Sequence, residues 1–209
     1  MSKVNAVEQT LLLLTQSGAA EELSEIKRGI EKESLRLDAR GVLAMTDHPL
    51  SLGSALTHSC ITTDYSEALL EFITPPSSDI DQSLQLLTEI HQYLYQSIGD
   101  EKLWVCSMPC ILRGEENIRI AKYGASNIGR MKTIYRLGLG HRYGRLMQTI
   151  AGIHYNYSVP TAFWKRWLQL DQPESLKDEI TSRYFGLIRN FKRYGWLLLY
   201  LFGASPAVC

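Results

Sequence analysis

The 209-residue sequence predicts an α+β fold, and three observations carry that reading. Several short segments alternate side-chain character at every residue, as strands with two unlike faces do. One segment, Ile80 to Ile98, spaces its apolar residues by three and four, as a helix with one buried face does. Turn-forming clusters rather than long linkers separate these segments, with no internal repeat and no low-complexity tract, so one domain portion over residues 1–209 is expected.

Val4 to Gln16 reads as a short surface helix with apolar positions at Val7, Leu11 and Leu14. Gly29-Ile30-Glu31-Lys32-Glu33 follows as a strand continuing through Leu35-Arg36-Leu37, and its i, i+2 spacing puts Glu31 and Glu33 on one face. Asp38-Ala39-Arg40-Gly41 makes a turn, with Gly41 free to take positive φ. Thr57 to Ile73 reads as two extended pieces broken near Asp64, and Pro75-Pro76 ends the second because proline cannot donate to a sheet ladder.

Ser78 or Asp79 then caps a helix whose stripe runs through Ile80, Leu84, Leu87, Ile90, Leu94 and Ile98, ended by Gly99-Asp100. His91 lies near that stripe and reads as a packing histidine. Tyr123-Gly124-Ala125-Ser126-Asn127-Ile128-Gly129-Arg130 is a glycine-bearing loop entering a basic, aromatic helix through Lys132, Tyr135 and Arg136. Such loops hold anions on backbone N–H groups, but this one matches neither the P-loop nor the dinucleotide fingerprint. Gly138, Gly140 and Gly144 predict that this helix is broken. Gly152 to Ser158 is a strand with His154, Asn156 and Ser158 on one side and Ile153, Tyr155 and Tyr157 on the other. Glu174 to Phe202 reads as one or two helices.

Composition narrows the function classes. Equal numbers of acidic and basic side chains, 22 of each, remove a bulk electrostatic case for nucleic acid or an anionic membrane. Cys60, Cys106, Cys110 and Cys209 fit no disulfide framework or zinc ribbon, so free thiols in a reducing cytosol are expected. Met1-Ser2-Lys3-Val4 opens no signal-peptide pattern, and the longest apolar run, Trp196 to Phe202, is far shorter than a membrane span. A soluble cytoplasmic chain is the expectation.

The acids are the informative feature. Glu71 sits inside the apolar run Ala68-Leu69-Leu70-Glu71-Phe72-Ile73, where an unpaired buried carboxylate costs several kcal/mol. Glu31 and Glu33 alone would also suit a solvated sheet face with Lys32 and Arg36 as surface partners. Asp64 and Glu67 alone would suit a turn, and His154 alone a hydrogen-bonded core histidine. One metal site accounts for Glu31, Glu33, Asp64, Glu71 and His154 together. Several carboxylates with one imidazole favour a hard divalent ion, Mg²⁺ or Mn²⁺, over zinc.

Whole blocks of the chain are recognisable. Arg28-Gly29-Ile30-Glu31-Lys32-Glu33, Gly53-Ser54-Ala55-Leu56-Thr57-His58 through Thr62-Thr63-Asp64-Tyr65, and Glu67-Ala68-Leu69-Leu70-Glu71-Phe72-Ile73-Thr74-Pro75 resemble the proteobacterial type of glutamate–cysteine ligase. So do Ser107-Met108-Pro109-Cys110, Tyr123-Gly124-Ala125-Ser126-Asn127, Met147-Gln148-Thr149-Ile150-Ala151-Gly152-Ile153-His154-Tyr155-Asn156 and Tyr200-Leu201-Phe202-Gly203-Ala204-Ser205-Pro206, in the same order from about Ile26 onward.

The resemblance implies a curved antiparallel sheet forming a funnel, similar to glutamine synthetase, with helices packed outside. It implies ATP-dependent joining of the L-glutamate γ-carboxylate to the amine of L-cysteine through a γ-glutamyl phosphate, the first step of glutathione synthesis. It assigns Glu31, Glu33, Asp64, Glu71 and His154 to the metals that bridge the ATP phosphates. It places Tyr65, Tyr135, Leu139 and Gln148 near the cysteine pocket, with Asn156 and Arg136 as partners for substrate polar groups.

Family members are longer and supply further metal and phosphate contacts from their C-terminal part. This chain ends on an apolar helix and Cys209 with no polar tail, so the expectation is an N-terminal portion that by itself binds metal weakly and does not turn over. A non-catalytic amino-acid-binding module built on the same fold is the alternative. A metal-dependent hydrolase would differ in needing no cysteine, and a ligase for another amine would differ in ignoring the thiol.

Overall fold

The computed structural model describes residues 3–169 and 172–203. In chain order the elements are α1 (Lys3–Gln16), β1 (Lys27–Leu37), β2 (Ile61–Thr63), β3 (Leu69–Ile73), α2 (Ile80–Tyr95), β4 (Lys102–Leu103), α3 (Asn127–Tyr143), β5 (Ile153–Ser158), α4 (Thr161–Leu168), α5 (Pro173–Tyr194) and α6 (Trp196–Phe202). The fold is thus α+β. Its residues group into two compact units, 28–156 and the two flanking stretches, 1–27 with 157–209.

Unit 28–156 is built on the sheet. Its strands run in the order β2-β3-β1-β4, and β5 also pairs with β1. The β2–β3, β3–β1 and β1–β4 pairs are antiparallel. Residues opposite one another in an antiparallel pair share a face, so the register sorts the side chains. Lys32 lies opposite Phe72, Ser34 opposite Leu70, and Ile61 opposite Phe72. This face carries a core of Leu52, Ile61, Leu70 and Phe72 with Ile90 and Leu94 of α2, and Ile98 and Leu103 beyond it. Each such buried Leu, Ile or Phe side chain contributes about 1.5–3 kcal/mol.

The other face carries Leu35 opposite Leu69, and then Glu33 opposite Glu71. Its apolar end joins a second core with Leu43, Tyr65, Ala68, Ile118 and Ala151. The break at Asp64 and the turn at Gly41 (φ 77°) fall where the sequence places them, but β1 already begins at Lys27, and the extended piece expected from Thr57 is a strand only from Ile61.

Two helices depart from expectation. Asp79 does cap α2, accepting from the Gln82 N–H at 3.0 Å, but Ile80 and Leu84 are 55% and 49% exposed. The buried line runs instead through Ser83, the half-buried Leu86 and Leu87, Ile90 and Leu94. Apolar spacing alone does not reveal that a small residue such as Ser83, its hydroxyl returned to Asp79 O at 3.0 Å, can take the close position. His91 packs as expected, its ring 4.7 Å from that of Phe72 and its Nδ1 2.7 Å from Leu87 O.

α3 is not broken. It runs unbroken through Gly138 and Gly140 and ends at Gly144, with Ser126 capping its start through Gly129 N–H. Single glycines cost a helix only about 1 kcal/mol each against alanine, too little to break it.

In the flanking unit, α4 has no counterpart in the sequence reading, because eight residues with no capping side chain give little signal. Its Arg166 pairs with Glu22 at 2.9 Å, and its Trp164 ring lies 5.7 Å from Tyr184 of α5. The stretch Glu174 to Phe202, expected as one or two helices, forms two, α5 and α6. Among the described residues no helix is long and apolar enough to cross a membrane. Cys60, Cys106 and Cys110 are free thiols, while Cys209 and residues 204–208 lie outside the described residues.

Candidate metal and substrate site

The acidic end of the sheet face is set by register. Thr62 of β2, Glu71 of β3 and Glu33 of β1 form one row across three strands, and Glu31 stands two residues along β1 on the same face. β5 closes the far side. Gly152 O accepts from Glu33 N–H at 2.9 Å, and Gly152 N–H donates to the Glu33 carboxylate at 2.6 Å. His154 Nε2 lies 3.4 Å from Glu33 Oε1, and Asn156 donates its amide to Glu31 Oε1 at 2.8 Å. Glu31, Glu33, Glu71, His154 and Asn156 are thereby brought to one face.

Asp64 approaches from the corner between β2 and β3, where its N–H bonds Leu69 O at 2.9 Å. Its charge is felt by both Glu33 and Glu71. Burial pushes Glu71 up to about 7, and Asp64, Glu33 and Glu31 add to the shift against a smaller opposing effect of His154. Burial also raises Glu33, partly offset by the Gly152 N–H that bonds its carboxylate. Carboxylates that raise one another in this way gain from a proton or a divalent cation placed between them.

By donor chemistry the set fits a hard divalent ion: carboxylate oxygens and one imidazole. It is not closed. Among the described residues no three His, Cys, Asp or Glu side chains gather tightly enough to hold an ion.

The expected substrate residues lie on α3 and around the Asp64 corner. Arg136 donates Nε–H to Asp64 O at 2.5 Å and an Nη1–H to Lys132 O at 3.1 Å, so its guanidinium already braces the corner. Its Cζ lies 4.6 Å from the centre of the Tyr123 ring, and Lys132 Nζ lies 4.9 Å from the same centre. Tyr123 in turn donates its hydroxyl to Thr63 O at 2.6 Å. Leu139 packs against the second core, where Tyr65 is buried at 1% exposure. Tyr135 is 64% exposed, and Gln148, half-buried, follows α3 in a short turn.

Three features escaped the sequence reading. Glu67 is 3% exposed and accepts the backbone N–H groups of His48 at 2.9 Å and Lys122 at 2.8 Å, making it a clamp between loops. Arg36 is no surface partner: it is buried, pairing with Glu101 at 2.7 Å and bonding Thr46, Asp47 and Glu67 carbonyls. Gly152 brings bare backbone against Glu33, and its place just before the alternating strand was the one available signal.

The sequence matches the pattern of the glutamate-cysteine ligase family over residues 11–209. The chain belongs to that family. It is 60% identical over 204 residues to a glutamate–cysteine ligase of Alcanivorax borkumensis, covering 97% of this chain and 39% of the relative. It is 58% identical to that of Yersinia pseudotuberculosis, covering 90% of this chain and 36% of the relative. The chain therefore spans well under half the length of these curated relatives.

Among solved structures it is similar to a glutamate–cysteine ligase of Francisella tularensis in complex with AMP, with TM-score 0.78 and 40% identity over 87% of this chain and 36% of that one. It is also similar to a bifunctional glutathione synthetase of Pasteurella multocida, with TM-score 0.84 and 31% identity over 95% of this chain and 26% of that one. The expected family and the antiparallel α+β fold are both met.

Proposed function

We propose that this chain is part of a cytoplasmic ATP-dependent ligase that joins the γ-carboxylate of L-glutamate to the amine of L-cysteine. The single observation behind this reading is the row Glu33–Glu71 with Glu31 on the same face, in a chain of this family. Glu31, Glu33, Asp64, Glu71 and His154 would hold Mg²⁺ or Mn²⁺. The ion, when bound, would neutralise charge on the ATP phosphates as phosphate passes to the glutamate carboxylate.

The chain's own residues do the remaining work. Asn156 holds Glu31 by its amide, and Gly152 N–H holds Glu33, so two carboxylates face the site without free rotation. Arg136 fixes the Asp64 corner and presents its remaining guanidinium N–H groups toward a substrate carboxylate. Tyr65, Tyr135, Leu139 and Gln148 would shape the cysteine side of the site. Little covalent chemistry is asked of any of them, since positioning and charge stabilisation carry phosphoryl transfer.

Residues 1–209 grafted in place of the matching segment of the Alcanivorax borkumensis ligase provide the test. The chimera should release ADP only when both glutamate and cysteine are present, and Glu71→Gln should lower that rate by about 100-fold or more. ATP hydrolysis indifferent to cysteine would instead identify a hydrolase. A second reading, an amino-acid-binding module without catalysis, is favoured by the open arrangement of the donors. It calls for saturable glutamate or cysteine binding by the chain alone with no ADP release from the chimera.

A further inference from the structure

Gly138 and Gly140 both lie inside α3, yet their surroundings differ completely. A Cβ built on Gly138 meets nothing within 4 Å. A Cβ built on Gly140 would overlap the Tyr65 hydroxyl, and lies 3.5 Å from Arg145 Cγ and 3.7 Å from Tyr65 Cζ. The hydroxyl is buried and has no hydrogen-bond partner among the described residues. Tyr65 neighbours Asp64, whose carbonyl takes the Nε–H of Arg136 four residues before Gly140. So one turn of α3 is fastened to the β2–β3 corner at two points, by a hydrogen bond and by a notch.

We infer that Gly140 is a positioning residue: the notch left by its missing Cβ receives the Tyr65 hydroxyl and sets how closely α3, with Tyr135, Arg136 and Leu139, approaches the Asp64 corner. The inference deepens the ligase reading and rests on it only for what the corner is used for. The physical argument decides which atom matters. Removing the hydroxyl alone, by Tyr65→Phe, leaves the nearest ring carbon at 3.7 Å from the built Cβ, an ordinary contact. An alanine at 140 is therefore excluded by one oxygen and not by the ring.

The test uses the whole 209-residue chain and no substrate, so failure of the ligase assay and failure of this inference are separate results. Melting temperature and hydrogen exchange of the Arg136 Nε–H, followed by NMR, are read for four variants. Gly138→Ala should raise the melting temperature by about 2–4 °C, as expected for relieving a helix glycine, and leave Arg136 unchanged. Gly140→Ala should lower it, and the Arg136 Nε–H should exchange about tenfold faster as the corner opens. Adding Tyr65→Phe to Gly140→Ala should restore both readings, while Tyr65→Phe alone should leave Arg136 protected. Gly140→Ala behaving like Gly138→Ala would overturn the inference. So would failure of Tyr65→Phe to rescue, including the case in which both the single and the double variant fail to fold.

Discussion

Glu67 and Glu71 lie four residues apart on the same stretch of chain, and both lose much of their water on folding. Glu67 has each carboxylate oxygen bonded to a backbone N–H, those of His48 and Lys122. The Glu71 carboxylate accepts no hydrogen bond among the described residues, faces Glu33 across the β1–β3 pair, and is pushed up to about 7. A buried carboxylate whose lone pairs are filled by the fold is part of the fold. One left unfilled, among others of like charge, costs the fold stability, and a proton or a cation placed beside it would relieve that cost.

The comparison breaks most visibly at Glu67. Glu67→Ala orphans two backbone donors and should cost about 2–4 kcal/mol of stability, read from urea unfolding. A loss under about 1 kcal/mol would remove the clamp from the account.

Glu71 should behave oppositely, through pH. Its folded pKa, about 7, is raised above the unfolded value near 4.5. The folded state therefore binds the proton more tightly, so stability from this group is full below pH 4.5 and declines as pH rises through 7. Glu71→Gln should abolish that decline, gaining about 1–3 kcal/mol on wild type between pH 4.5 and 8 after solvent screening is allowed for. Parallel pH profiles of the two proteins would contradict it.

Glu33 stands between the two cases, bonded by Gly152 N–H on one oxygen and repelled by its neighbours. Glu33→Gln keeps an acceptor for Gly152 and removes a charge facing Glu71. Its stability should lie within about 0.5 kcal/mol of wild type. The Glu71 carboxyl carbon should titrate at lower pH by NMR, and an unmoved titration would show that Glu33 adds nothing to the shift.

Much of this was legible in the sequence because it is local. The i, i+2 acids of β1, the turn at Gly41, the break at Asp64, the Asp79 cap and the alternation through His154 and Asn156 are written in neighbouring residues. What the sequence did not reveal depends on partners far along the chain. Nothing near Glu67 says that residues 48 and 122 will bring it their N–H groups, and nothing near Arg36 says that Glu101 will meet it in the interior. The opposition of Glu33 and Glu71 is a register, which only the paired strands define. The α3 glycines depart from expectation for a related reason: local propensity weighs a glycine by its backbone freedom, whereas Gly140 is placed against the Tyr65 side chain from another element.

The most direct test of the central claim is calorimetric titration of the chain with Mn²⁺ at pH 7, in two buffers of different ionisation heat, for wild type and Glu71→Gln. The account expects saturable though weak binding that releases about half a proton per ion from Glu71, with affinity and proton release both lost in the variant. Equal binding by both proteins, or binding by wild type with no proton released, would contradict the assignment of these carboxylates to a metal.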